Sequence, residues 1–229
     1  MTGPVRRVVL FAKEPVPGRV KTRLAREIGE GPATTLYRSF LQDLAAALPD
    51  PERWDAVLAH AEFEPGPFLV GTFRAPWDLL PQGDGTLGER LARVVVRSRM
   101  EGKRDVVVVG SDAPTLGRED LVSAFDALGG GADAVFAPAP DGGFSLVGLA
   151  GGLDARGFFE GVRWSTGHAL EDARRAAVAK GARVALLATV PDVDEFRDLA
   201  ALVPFVSADP ALAPVTRRAI ESLFERSGS

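Results

Sequence analysis

Cysteine is absent from this 229-residue chain. That excludes a disulfide framework, a thiolate zinc site and a cysteine nucleophile. The absence suits a reducing cytosol, so a cytoplasmic location is expected. Histidine is nearly absent too: only His60 and His168 occur, which rules out a multi-histidine metal centre. No hydrophobic run is long enough to cross a bilayer. The apolar stretch at residues 8–12 is too short for a signal-peptide core and suits a first buried strand. Positive charge is not in excess either. The formal net charge is −4, so no global field draws nucleic acid, and any anion site must be a local cluster of Lys and Arg. Neither a nucleic-acid nor a membrane partner is expected. Internal repeats, low-complexity tracts and linkers are also missing, and residues 1–229 read as a single domain.

What is present is an alternation of short apolar runs with amphipathic stretches. Strands are expected at residues 8–12, 54–61, 105–110, 134–137, 144–149 and 183–187. Helices are expected at 33–48, 88–100, 118–128, 167–180 and about 210–226. The helix at 33–48 carries Leu36, Phe40, Leu44 and Leu48 on one stripe, widened by Tyr37 and Leu41. Residues 62–87 are rich in Pro and Gly and give no clear element. This pattern implies an α/β fold with a mostly parallel sheet and helices on both faces. Ligands of such sheets bind beyond the carboxyl ends of the strands, so the loops after residues 12 and 110 are the first places to look for chemistry.

The loop after the first strand, FAKEPVPGRVKTRLA, gathers Lys13, Arg19, Lys21 and Arg23 around Gly18. Gly18 permits a positive φ, and Thr22 is placed to cap a short following helix. Cations, a flexible point and a helix start are the parts of a polyphosphate cradle; the plainer alternative is a solvated basic loop. Walker-loop spacing is not met.

Four valines run into Gly110-Ser111-Asp112-Ala113-Pro114. A buried strand thus delivers the Asp112 carboxylate to the sheet edge, a placement that suits Mg²⁺ or Mn²⁺, which take oxygen ligands and share them with substrate phosphates. The alternative is an Asp capping the next helix. The late segment PDVDEFRDL holds Asp192, Asp194, Glu195 and Asp198. Acids at a helix start favour the dipole, but Asp192 or Asp194 can equally complete a metal site with Asp112. Asp141-Gly142-Gly143 reads as a turn or as a glycine-lined ligand wall. Ser165, Thr166 and His168 fall at a helix start, where the two hydroxyls are good caps and an anion can bind. GTLGERL offers Gly88 and Arg90 as a base or ribose wall, or as a turn entering a helix.

In this order the segments FAKEPVPGRVKTRLA, GDGTLGERL, VVVVGSDAPTLG, PAPDGGFSLVGL, WSTGHAL and PDVDEFRDL resemble the glycosyltransferase-like family related to 2-phospholactate guanylyltransferase. Some of its members are called radical-SAM/selenodomain-associated transferases. The resemblance spans about residues 8–199 and implies a GT-A, or nucleotide-diphosphosugar-transferase, fold. It implies that Lys13 and Lys21-Thr22-Arg23-Leu24 grip a triphosphate and stabilise leaving pyrophosphate. Asp112 then holds a metal with Asp192 and Asp194 as partners, and Ser165 and His168 lie near the acceptor. The loop Asp141-Gly142-Gly143-Phe144 departs from the guanylyltransferase pattern.

The expected activity is therefore a Mg²⁺- or Mn²⁺-dependent nucleotidyl transfer, joining GMP from GTP to a small phosphorylated acceptor. Catalytic candidates are Lys13, Lys21, Arg23 and Asp112. The nucleotide is assigned to Lys13, Gly18, Lys21, Thr22, Arg23, Gly88, Arg90 and Ser111, and the acceptor to Asp141, Gly142, Gly143, Ser165 and Thr166. A GT-A glycosyltransferase using a nucleotide sugar is the alternative. Such enzymes usually carry Asp-x-Asp, where this chain has the single Asp112. A nucleotide-binding module without turnover is a third reading. The protein is expected as a monomer or homodimer.

Overall fold

The computed structural model describes residues 5–227, with side chains described to residue 225; residues 1–4, 228 and 229 of the expected domain lie outside the described residues. The strands are β1 (Arg6–Ala12), β2 (Asp55–His60), β3 (Trp77–Pro81), β4 (Asp105–Gly110), β5 (Ala134–Pro138), β6 (Phe144–Leu149) and β7 (Val184–Leu186). The helices are α1 (Thr22–Ile28), α2 (Glu30–Ala47), α3 (Pro67–Thr72), α4 (Leu87–Met100), α5 (Arg118–Gly129), α6 (Ala155–Phe158), α7 (Ala169–Ala179), α8 (Phe196–Ala208) and α9 (Pro214–Ser227). All these strands join one sheet in the order β3-β2-β1-β4-β6-β5-β7. β1 pairs in parallel with β2 and β4, β2 with β3, and β5 with β7. β6 alone runs against its neighbours β4 and β5. The expected α/β fold with a mostly parallel sheet is the one observed.

Strand alternation divides the core into two layers. Val8, Leu10, Val107 and Val109 face one side, packed by α1, α2, α5, α8 and α9. Val9, Val106, Val108 and Phe136 face the other, beneath α4, α6 and α7. Both faces of β4 are therefore covered, which is why it reads as an unbroken valine run.

Three expectations change. The Pro/Gly-rich stretch 62–87 contains α3 and β3. Pro67 stands in the first turn of α3, and the Glu14 carboxylate accepts the N–H groups of Phe68 and Leu69 at 3.0 and 3.2 Å, so a distant loop caps this helix. The single closing helix expected at 210–226 is the second of two, α8 and α9. Between them the chain turns, and the buried Asp43 carboxylate of α2 accepts the N–H groups of Val215 and Thr216 at 2.9 and 2.7 Å. A tertiary contact thus sets where α9 begins. The third change is the start of α1, the short helix after the basic loop: its N-cap is Lys21, with Thr22 the first helical residue.

Because β6 alone is reversed, the loops after β1, β4 and β7 and the β5–β6 turn all emerge at one edge of the sheet. Chain segments around residues 13–21, 111–117, 139–143 and 187–195 meet there.

Candidate active site

At this edge Lys21 is the central cation. Its side chain is 3% exposed, whereas those of Asp112 and Asp194 are 46% and 42% exposed. The ammonium contacts Asp112 Oδ1, Asp194 Oδ1 at 3.0 Å and the Val193 carbonyl at 2.6 Å. It also lies 5.9 and 5.7 Å from the ring centroids of Tyr37 and Phe40. Burial opposes the charge on Lys21, but attraction to Asp112 and Asp194 together outweighs it, and the pKa is raised. The expected role of Lys21 as a phosphate grip is not what the geometry shows, since its ammonium points inward at carboxylates. Its backbone sits in the left-handed region, φ 47° and ψ 41°, as the N-cap of α1. That conformation costs a non-glycine residue about 1–2 kcal/mol. Thr22 is consequently the first helical residue and does not cap α1.

The other cations of the loop remain outside. Lys13, Arg19 and Arg23 are exposed, and Gly18 takes a positive φ of 75°. Tyr37, the chain's only tyrosine, binds this loop to the next. Its hydroxyl accepts the Lys13 N–H at 3.2 Å and shares a hydrogen bond with Ser111 Oγ at 2.9 Å. Burial, with the nearby Asp112 charge second, raises the Tyr37 pKa well above its ordinary value, so the phenol stays neutral. Ser111 is buried and already partnered, which makes it a support of the loop. The helical stripe gave Tyr37 as a core residue and no sign of this polar role.

Asp112 does not cap α5. Asp120 does, accepting the Gly117 N–H at 2.8 Å. Likewise Asp198 accepts the N–H groups of Asp194 and Glu195 at 3.0 and 2.8 Å ahead of α8, which leaves Asp192 and Asp194 for the cleft. Burial raises the Asp192 pKa to about 6, helped by repulsion from Asp141, Asp194 and Asp112. Among the described residues no three Asp, Glu, His or Cys side chains form a ready-made metal cage. Mg²⁺ seldom uses one; it is commonly held by one or two carboxylates and substrate phosphates, keeping its waters. Two half-exposed carboxylates at one strand edge fit that donor set.

The opposite rim is a pair of loops. Asp141 Oδ1 accepts the Gly143 N–H at 2.7 Å. Gly142 (φ 87°) packs against the Gly167 backbone, where a Cβ would collide, and its carbonyl accepts the Leu170 N–H at 3.1 Å. Asp141, Gly142 and Gly143 are thus brought beside Ser165, Thr166 and His168, all three exposed. Ser165 and Thr166 do not cap α7; His168 is the N-cap residue, without a side-chain cap bond, and Thr166 Oγ1 donates to the Arg163 carbonyl at 2.7 Å. Between the rims lies a cavity of about 180 Å³ bounded by Phe11, Leu87, Gly110, Gly143, Trp164 and Asp192. A larger groove of about 1030 Å³ runs along α4, shares Trp164 with this cavity and includes none of the carboxylates named above.

Gly88 packs closely. A Cβ there would press on the Phe159 carbonyl and Trp164 Nε1, each 3.1 Å away, so its smallness serves helix packing. Arg90 reaches the strand ends: its Nη1 donates to Gln82 Oε1 at 3.0 Å, and its buried Nε has no hydrogen-bond partner. Gln82, which donates to the Ala12 and Ala59 carbonyls at 3.3 and 2.7 Å, ties β1 to β2 and holds Arg90. It lies in the unassigned 62–87 stretch, which is why sequence reasoning passed over it.

This architecture is the nucleotide-diphospho-sugar-transferase fold. A structure from Desulfovibrio desulfuricans G20 assigned to the nucleotide-diphospho-sugar transferases superposes with a TM-score of 0.87 at 25% identity, over 97% of this chain and 98% of that one. The chain itself belongs to the DUF2064 family, described as uncharacterized protein conserved in bacteria, whose model matches residues 43–166. A cytidylyltransferase from Leptospira borgpetersenii serovar Hardjo-bovis (strain JB197) shares 12% identity with a TM-score of 0.58, over 98% of this chain and 96% of that one. CMP:2-keto-3-deoxy-manno-octonic acid synthetase, complexed with CTP, shares 10% with a TM-score of 0.55, over 89% and 99%. These last two likenesses concern the fold alone. No curated protein matches the sequence. No helix among the described residues is long and apolar enough to cross a membrane.

Proposed function

We propose that the chain is a metal-dependent nucleotidyltransferase that joins a nucleoside monophosphate to a small phosphorylated acceptor and releases pyrophosphate. The observation that carries this reading is the facing of two unlike surfaces at one sheet edge. Exposed Lys13 and Arg19 stand on the loop after β1 and Arg23 in the first turn of α1, and half-exposed Asp112 and Asp194 stand beside them. A triphosphate laid across the edge puts its β and γ phosphates on the cations and its α phosphate at the carboxylates.

In the reaction an acceptor phosphate oxygen forms a bond to the α-phosphorus. The bond from that phosphorus to the α,β-bridging oxygen breaks, and pyrophosphate leaves with the electron pair. Lys13 and Arg23 stabilise the charge developing on the leaving group. Arg90, steadied by Gln82, lies at the base or ribose end. The loops at 141–143 and 165–168 orient the acceptor. Asp112 and Asp194, with Asp192 beside them, would hold Mg²⁺ or Mn²⁺, which supplies charge neutralisation at the phosphates when bound. The resemblance to 2-phospholactate guanylyltransferases favours GTP.

Glycosyl transfer from a nucleotide sugar is the second reading, favoured by the assignment of the Desulfovibrio relative. The single strand-end Asp112 and the cationic leaving-group loop favour nucleotidyl transfer.

The deciding experiment is binding of GTP, ATP, CTP, UTP and GDP-mannose, with and without Mg²⁺, to the wild type and to Asp112→Asn, followed by a pyrophosphate-release screen of phosphorylated acids. Metal-dependent nucleoside triphosphate binding lost in the variant, with pyrophosphate released on adding an acceptor, is expected. Preference for the nucleotide sugar and no pyrophosphate would establish the second reading; no binding at all would refute both.

A further inference from the structure

Lys21 differs from every other cation of its loop. Lys13, Arg19 and Arg23 are exposed, while the Lys21 side chain is 3% exposed and forms bonds to residues 172 and 173 positions away in sequence. The Lys21 backbone is left-handed and its side chain points inward. Non-glycine residues keep such a conformation only where their surroundings over-determine it, and these positions cluster at functional sites. Three loops are joined through one nitrogen: those after β1, β4 and β7.

Resting on the nucleotidyltransferase reading, we infer that Lys21 is the resident cation of the carboxylate cluster. It is a positioning residue that holds Asp112 against Asp194 and takes the place of a second divalent ion, so that the site binds one metal ion per chain.

Two-metal phosphoryl-transfer sites place their ions about 3.5–4 Å apart with shared ligands between them. A carboxylate that bridges two ions in the two-oxygen mode gives one oxygen to each. Here one oxygen of Asp112 and one of Asp194 are committed to the same ammonium, which therefore occupies the bridging position. For Lys21 to swing out to a phosphate it would have to give up the Val193 carbonyl at 2.6 Å and strand two carboxylates against each other. A lysine so placed neutralises charge permanently and, unlike an ion, cannot dissociate with the product.

The test is the stoichiometry of Mn²⁺, read by electron paramagnetic resonance and calorimetry in the presence of a GTP analogue with a methylene between the α and β phosphates. Wild type should bind one Mn²⁺ per chain in the ternary complex. Two ions per chain would overturn the inference while leaving the nucleotidyltransferase reading intact; no nucleotide-dependent Mn²⁺ binding would overturn both. Lys21→Met frees the two oxygens and should raise the count to two, whereas Lys21→Arg should keep it at one. An unchanged count in a folded Lys21→Met would also overturn the inference. Should Lys21→Met fail to fold, the wild-type and Lys21→Arg counts decide the matter.

Discussion

The Tyr37 hydroxyl lies 2.9 Å from Ser111 Oγ and also accepts the Lys13 N–H at 3.2 Å. One buried phenol on α2 thereby fixes the basic loop after β1 to the loop that carries Asp112. Removing the oxygen leaves a buried hydroxyl and an amide without a partner, an effect of about 1–3 kcal/mol. Tyr37→Phe should lower the melting temperature by several degrees and weaken nucleotide binding in the same preparation. Calorimetry together with a GTP titration checks both, and unchanged GTP affinity would show that Tyr37 serves the core alone.

Asp43 presents the opposite case, a buried carboxylate committed to a helix start. It caps α9 through Val215 and Thr216. Asp43→Ala should cost about 1–2 kcal/mol, the range for loss of a helix cap. Chemical denaturation should show that loss while nucleotide affinity at 25 °C stays as in wild type.

Asp192 supplies the pH dependence. Its pKa rises from 3.8 to about 6 through burial and neighbouring carboxylates. Between those values the folded chain holds a proton that the unfolded chain has released, so metal-free stability attributable to this group falls as pH rises from about 4 to about 6. Metal binding runs the other way because a cation competes with that proton. Mn²⁺ affinity should climb between pH 5 and 7 with a step near 6, and Asp192→Asn should flatten the step. A profile identical to wild type would exclude Asp192 from the metal's surroundings.

Lys13 and Arg23 are exposed, so replacing them should leave the fold untouched. Lys13→Ala and Arg23→Ala should each weaken triphosphate binding about 10- to 150-fold, the span that one charge-assisted hydrogen bond to a phosphate is worth. The effect should shrink as salt is raised. Titrations at two ionic strengths, with thermal melts as the control, read the difference.

On the acceptor rim, Gly142 has φ 87° and a Cβ there would strike the Gly167 backbone. Gly142→Ala should push the 141–143 and 165–168 loops apart. With an acceptor found in the screen, KM for the acceptor should rise about tenfold or more with GTP affinity unchanged, and a matched rise for GTP would show that the loop serves the nucleotide.

Much of this protein was legible as pattern. β4 falls at the expected residues because a strand covered on both faces reads as a continuous apolar run, and α4 is framed by its own capping box, Thr86 with Glu89. Asp112 was legible because it closely follows the end of a buried strand, and the acidic segment because its carboxylates cluster at a helix start. Local signals of this kind depend on neighbours in sequence. What they could not supply is any fact resting on a distant partner. α3 depends on Glu14 and α9 on Asp43, so neither boundary could be read from its own residues. Four cations of one loop look alike in sequence. Only the fold separates Lys21, drawn inside by two aspartates and a carbonyl from segments brought together by the sheet, from Lys13, Arg19 and Arg23, which face water. The sequence determined which charges reach the carboxyl edge; the tertiary structure decided which of them are spent on one another and which stay open to a ligand, because burial and pairing are set by residues remote in the chain.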